Sequence, residues 1–371
     1  MILVLEGLRG IAALFVAIYH SWPSEIRNLP LMLNGWLWVD LFFVLSGSVM
    51  SYSYSRRLNS KVEWLNFVVK RFGRLYPLHL ITTLAFIGIT LVVPLCAVVV
   101  KDFLNLPSGA SNESPDRFEQ MVRQLPLHLL MLHGLGTVKM LDLNVPSWSI
   151  STELAVYIAW ASIWCYLKSR KTLYSLALIA SILSVTFLYF GVSKINFSYM
   201  NDYGILRCFA GFSVGTVLPS LWLYFSFPKR KSSAWSVQVV GIVSTAILFY
   251  FARLFPAMTY FAPLIFALLI VGLVAYPSWF VKLLSARIFV ELGKLSYSIY
   301  LWHVPLLLVF KPIASISPSW ALELVTVIYL CTLLIVAKFS YLYIESPCRL
   351  KIAKFADNVL PKISQTTDRP N

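Results

Sequence analysis

Residues 5–20 read LEGLRGIAALFVAIYH. The run is apolar enough to enter a bilayer, yet it carries Arg9 and His20, and ionisable groups inside a span are costly enough to mark function by default. Arg9 and His20 are eleven residues apart. At about 1.5 Å per residue and 3.6 residues per turn they lie about three turns, or ~16 Å, apart on one helical face. They are too far apart to touch. A same-face pair at opposite ends of one span points to a polar passage along the stripe between them. The segment has no basic leader and no small-residue cleavage site, so it reads as a retained first helix and not as a signal peptide.

The rest of the chain agrees with a membrane reading. Of 371 residues, 58% are hydrophobic and only 13% charged, where an average soluble domain is about a quarter charged. The expected fold class is an all-α polytopic integral membrane protein of about ten transmembrane helices. Apolar stretches of span length fall near 4–22, 36–54, 76–100, 147–167, 172–191, 204–227, 234–252, 257–276, 292–311 and 320–343. The stretch QLPLHLLMLHGLGTVKML (124–141) is apolar but carries His128, His133 and glycines, and it reads as a re-entrant or surface element. No repeat of the transporter kind is evident. The domain reading is one transmembrane unit over 1–350 with a short cytoplasmic tail over 351–371.

The net charge of +15 does not indicate nucleic acid, because the basic residues cluster between alternate spans, as the positive-inside rule requires of cytoplasmic loops. RRLNSK, KSRK, KRK and VKLLSAR fill every second connection, and the longest loop on the other side (101–126) holds Asp102, Glu113, Asp116 and Glu119. Both termini are therefore expected in the cytoplasm, in the inner membrane of a cell. The five cysteines show neither metal-ligand spacing nor a disulfide framework, and no metal ligand set is assigned.

This topology sets the depth of each polar residue. His20, Asp40 and Glu153 are expected in one outer layer, and Glu6, Arg9, Arg71, Arg74 and His79 near the inner face. A carboxylate inside a span needs a partner or stays protonated. Glu153 or Asp40 paired with His20 would satisfy both groups and orient an imidazole as a general base; Asp40 serves equally as a helix cap. Arg71 and Arg74, three apart on one face, suit either an anionic clamp or simple anchoring at the interface. Ser46 sits beside Gly47, where a small residue favours close helix packing. Tyr297, Tyr300, Trp302 and His303 share a late span, with the histidine at mid-depth. His128 and His133 are ambiguous.

Taken in order, the motifs resemble acyltransferase family 3. LEGLRGIAALFVAIYH carries the Arg, ten residues, His spacing. VDLFFVLSG (39–47), RFGRLYPLH (71–79), WSISTELAVY (148–157), LSYSIYLWH (295–303) and YIESPCR (343–349) resemble the family's further motifs in sequence order. Glu6 stands where the family more often has Asp, and 101–141 and 191–291 match no motif. The resemblance implies an O-acetyltransferase that takes an acyl group, usually acetyl, from cytoplasmic acetyl-CoA (acyl-CoA) to a hydroxyl of a glycan acceptor. The membrane-only type, with no fused hydrolase-like domain, is expected. On this reading acyl-CoA is a donor substrate and no cofactor is permanently bound; the other partners are the lipid bilayer and the glycan, not nucleic acid. Arg9, Arg71 and Arg74 would hold the nucleotide end of the donor. His20, oriented by Glu153 or Asp40, would act as base or as a covalent acyl carrier. Ser46, Tyr297, Tyr300, Trp302 and His303 would contact substrate. A proton-coupled transporter or flippase using the same His and carboxylates is the alternative.

Overall fold

The computed structural model describes residues 3–55, 57–103, 115–138, 140–167, 169–200, 202–225 and 231–367. Residues 104–114, with Glu113, and the side chains of Cys96, Asp102 and Asp116 lie outside the described residues. The chain is helical: α1 (Leu3–Tyr19), α2 (Glu25–Asn28), α3 (Pro30–Leu33), α4 (Trp38–Tyr54), α5 (Lys61–Phe103), α6 (Pro115–Leu129), α7 (Trp148–Tyr166), α8 (Arg170–Thr186), α9 (Gly204–Phe225), α10 (Lys231–Phe251), α11 (Ala262–Ala275), α12 (Trp279–Leu284), α13 (Arg287–Ile316), α14 (Leu322–Ser340) and α15 (Ser346–Thr367).

Among the described residues, eight helices are long and apolar enough to cross a membrane. Two of the ten expected spans, α1 and α7, are not among them. α1 has only 17 residues, and α7 interrupts its apolar run with Ser149, Ser151, Thr152 and Glu153. Both are interior helices: 11 of 17 residues of α1 and 11 of 19 of α7 are buried. A helix screened from lipid by its neighbours does not need a lipid-soluble surface, so it can carry polar groups that hydropathy penalises. By contrast, only 17% of the apolar window of Arg170–Val192 is buried inside the protein, which leaves that helix to face lipid.

α5 begins well before the expected span at 76–100. Ser60 Oγ accepts from Glu63 N (3.2 Å) and Glu63 Oε2 accepts from Asn59 N (2.7 Å). This is a capping-box arrangement, Ser-x-x-Glu, that starts the helix near Lys61. Arg71, Arg74 and His79 therefore sit inside a 43-residue helix and not at its start. At the other end, α14 runs through a π-helical turn, Tyr341–Glu345, into α15. The stretch expected as a tail is thus helical to Thr367. It packs along α5, where Asp357 accepts from Lys70 Nζ (2.6 Å) and Asn66 Nδ2 (3.0 Å).

Among the helix pairs that approach at glycine, two flank the interior. α1 packs on α13 where a Cβ on Gly10 would lie 2.6 Å from Gly293 N and one on Gly293 would lie 2.2 Å from Glu6 O. α4 packs on α9 at Gly47, whose Cβ would lie 2.0 Å from Phe212 O. Small residues at a crossing let backbones come close where lipid supplies no hydrophobic drive. These contacts bring α1, α4, α5, α7 and α13 around one interior space.

Candidate active site

That space is a cavity of about 90 Å³ lined by residues from all five helices. Its polar lining is Arg9, Ser46, Arg74, Ser149, Glu153, Tyr157, Ser296, Tyr297 and Tyr300, and the rest of the wall includes Phe42, Phe43, Leu75 and Ile150. Six residues singled out in the sequence thus meet here: Arg9, Ser46, Arg74, Glu153, Tyr297 and Tyr300. Arg9 is fixed by Glu6 Oε2 (2.7 Å), Ser296 Oγ (2.9 Å) and Gly293 O (3.1 Å), all accepting from its guanidinium. Arg74 makes no hydrogen bond or ion pair among the described residues, although Glu153, Glu345 and Glu6 bear on it electrostatically. A second cavity, lined by Leu5, Glu6, Arg9, Tyr52, Ser53 and Trp222 among others, adjoins the first at Arg9, Leu45 and Val49. It extends towards the N-terminal end of α1.

Glu153 accepts hydrogen bonds from Ser46 Oγ and Tyr157 Oη. The shared outer layer expected for Glu153 and His20 is therefore not formed. The reason is the preceding loop, which enters the bundle and does not stay at its rim. Asn144 Nδ2 donates to Leu301 O (3.0 Å) and Tyr300 Oη to Pro146 O (3.1 Å), both near the middle of α13. α7 thus starts inside the protein, and Glu153 falls further along, at the level of Arg74. The re-entrant reading of 124–141 fits this course.

His20 follows the last residue of α1, half-buried, and its Nδ1 lies 2.9 Å from Val16 O. A carbonyl only accepts, so Nδ1 carries the proton and the Nε2 lone pair is left exposed to an approaching group. Its ring lies against those of Tyr19, with centroids 4.7 Å apart, and His303, with centroids 5.0 Å apart. His303 Nδ1 in turn donates to Tyr300 O (2.6 Å), and Tyr300 lines the cavity. The Tyr300–His303 layer thus stands between the cavity and His20.

Asp40 does not orient His20, and it does not cap its helix. It faces α9, where Arg207 grips it with Nε to Oδ1 at 2.8 Å and Nη2 to Oδ2 at 2.7 Å. Arg71 is likewise drawn away from a simple clamp. It donates to Tyr54 Oη (3.0 Å) and lies over the rings of Tyr54, Phe67 and Tyr157. Trp302 donates to Ser340 Oγ (3.0 Å) and does not line the cavity. The small residue that serves packing in the Leu-Ser-Gly turn is Gly47, while Ser46 faces Glu153.

The sequence held signals for several residues passed over. Tyr157 is four residues after Glu153, hence on the same helical face. Arg207 is a charge inside an apolar span and marked by that alone. Glu345, in the YIESPCR motif, is buried and accepts from Ser298 Oγ (2.8 Å). Ser149 and Ser296 carry the same signal as Glu345, since they fall within WSISTELAVY and LSYSIYLWH.

A bundle of apolar helices closed around a cavity that holds two arginines and a glutamate defines a multi-pass membrane protein with an interior polar site. A family model described as an acyltransferase domain, that of acyltransferase family 3, matches residues 2–342, and the chain belongs to that family. It is 27% identical over 386 residues to the O-acetyltransferase OatA of Staphylococcus aureus strain NCTC 8325, covering 96% of this chain and 58% of that protein. It is 22% identical over 369 residues to the peptidoglycan O-acetyltransferase OatA of Listeria monocytogenes strain EGD-e, covering 93% and 55%. The chain thus spans little more than half the length of these curated relatives. No solved structure matches it.

Proposed function

We propose that this protein is a membrane O-acetyltransferase that moves an acetyl group from acetyl-CoA to a glycan hydroxyl, with peptidoglycan the first acceptor to try. The reading rests on family membership, on the names of the relatives, and above all on His20. Its Nδ1 is committed to Val16 O and its Nε2 is free, at the far end of the stripe that begins at Arg9. In the proposed reaction Nε2 takes the proton of the acceptor hydroxyl as that oxygen attacks the thioester carbonyl carbon. The C–S bond breaks, and the CoA sulfur leaves with the proton returned from Nε2–H. Arg74 and Arg9 draw the anionic end of the donor to the N-terminal end of α1, which is taken to face the cytoplasm. The thin acyl arm then passes the Tyr300–His303 layer to reach His20. Glu153, half-buried in the same cavity as Arg74, adds a carboxyl group to its polar lining.

The test is proteoliposomes holding only this protein, supplied with radiolabelled acetyl-CoA and glycan strands. Label in the glycan supports the reading. Label retained in CoA, with a solute moving across the vesicle wall, would favour a proton-coupled transporter and overturn it.

A further inference from the structure

Outside the cavity, three buried imidazoles converge from two helices and the entering loop: His79 on α5, His128 in the last turn of α6, and His133 just beyond it. The rings of His128 and His133 lie face to face with centroids 3.7 Å apart, and His79 stacks at 5.4 Å from His133. One ligand nitrogen from each lies within 4.8 Å of the other two.

The hydrogen bonds around the rings decide which nitrogens are bare. His79 Nε2 lies 2.9 Å from His128 O, so it must donate, and the lone pair is on Nδ1. Ser147 Oγ spends its hydrogen on Asn144 O (2.7 Å), so at 2.9 Å it accepts from His133 Nε2–H, and that ring too has its lone pair on Nδ1. Both Nδ1 atoms are buried without a hydrogen bond of good geometry, although the Leu127 backbone also approaches the His133 ring, and both nitrogens of His128 are likewise buried without a partner. Three imidazole lone pairs are therefore enclosed together and unsatisfied, although buried polar atoms as a rule find partners. The backbone carbonyl and the serine hydroxyl occupy the positions of outer partners that orient metal-binding histidines.

We propose that His79, His128 and His133 form a structural site for a divalent first-row transition ion, zinc in the first instance. Three neutral imidazole nitrogens are a borderline-soft donor set that suits zinc rather than calcium or magnesium. Nitrogens around a tetrahedral zinc, each bonded at about 2.0–2.1 Å, stand roughly 3.3 Å apart, so closure asks for ring rotation that splays the stacked pair. The ion would pin the re-entering loop to α5. Ser147, held by His133, precedes α7 by one residue, and Pro146 and Ser149 on either side of it both bond Tyr300 of the cavity wall. The site is independent of which group the protein transfers.

The measurement is metal content by mass spectrometry, with thermal unfolding, on the full chain purified in detergent with its affinity tag removed. About one zinc per chain is expected, with Tm lowered by chelator and restored by zinc; cobalt substitution should give the visible bands of a tetrahedral nitrogen site. His128→Gln and His133→Gln should each lose the ion and the zinc-dependent part of Tm while the metal-free Tm stays near that of chelated wild type. His303→Gln, another buried histidine, should keep the ion. Wild type with background metal and a Tm indifferent to zinc and chelator overturns the proposal, as does zinc retained at full stoichiometry when His79, His128 and His133 are all glutamine.

Discussion

Asp40 and Arg207 form a bidentate ion pair that joins α4 to α9, with side chains 0% and 2% exposed. Arg207 also donates to Tyr199 O and Trp36 O (both 3.0 Å) and lies between the rings of Trp36 and Trp148. Among the described residues, the hydrogen bonds given for this pair run between the two side chains and to backbone carbonyls. Breaking a buried pair by removing one charge costs roughly 3–5 kcal/mol. Asp40→Asn is therefore expected to lower Tm in detergent sharply while the folded fraction keeps its specific activity. A variant with normal Tm and lost turnover would return Asp40 to the chemistry.

His20 has the opposite profile. It is half-buried and its side chain's one hydrogen bond among the described residues is to Val16 O, so His20→Ala removes little that holds the fold. A positioned general base is worth about 10²–10⁴-fold in rate, and a loss of kcat of that size with unchanged Tm is the expected result. His20→Gln, which keeps a donor for Val16 O, should be no more active. Activity within a few-fold of wild type in either variant would remove His20 from the reaction.

Arg71 and Arg74 read alike in RFGRLYPLH but differ in the fold. Arg71 is packed among Tyr54, Phe67 and Tyr157, whereas Arg74 lines the cavity with no direct partner among the described residues. Arg71→Ala is expected to lower Tm. Arg74→Ala is expected to leave Tm unchanged and raise KM for acyl-CoA by roughly tenfold to a hundredfold, the worth of one charge-assisted hydrogen bond. Steady-state kinetics on the folded proteins checks both, and an unchanged KM in Arg74→Ala would leave that residue no role in donor binding.

These contrasts show where sequence reading succeeds and where it stops. The spans were legible because lipid imposes one rule on every exposed helix. That rule fails for α1 and α7, which are enclosed by other helices and so carry Arg9, Glu6 and Glu153 at no cost in lipid. Which charged residues matter was legible from their presence in apolar runs, and three of them, Arg9, Arg74 and Glu153, meet in the cavity. Their pairing was not legible. Asp40 turns to Arg207 on α9 and Glu153 drops below His20, because partner choice depends on helix rotation and on a loop that re-enters the bundle, neither of which spacing along the chain encodes. The histidine cluster was hidden for the same reason, since His79 and His128 are 49 residues apart.

The position of Arg9 depends on how closely α1 lies on α13, and glycine sets that distance. A Cβ at Gly293 would stand 2.2 Å from Glu6 O and 2.6 Å from Glu6 C, both backbone atoms that cannot swing aside. Gly293→Ala must therefore push the two helices apart at the residues that hold Arg9, through Gly293 O and Ser296 Oγ. Overpacking of this kind costs about 1–3 kcal/mol, and the displaced guanidinium should raise KM for the donor as well. Gly88, on α5, supplies the control, because a Cβ there meets nothing within 4 Å. At that exposed helical position Gly→Ala should gain up to about 1 kcal/mol from helix propensity alone. The pair is read together by thermal unfolding and donor titration: Gly293→Ala loses on both measures and Gly88→Ala loses on neither. Equal behaviour of the two would mean that the α1–α13 contact is loose enough to absorb a methyl group, and that Arg9 is placed by something other than this crossing.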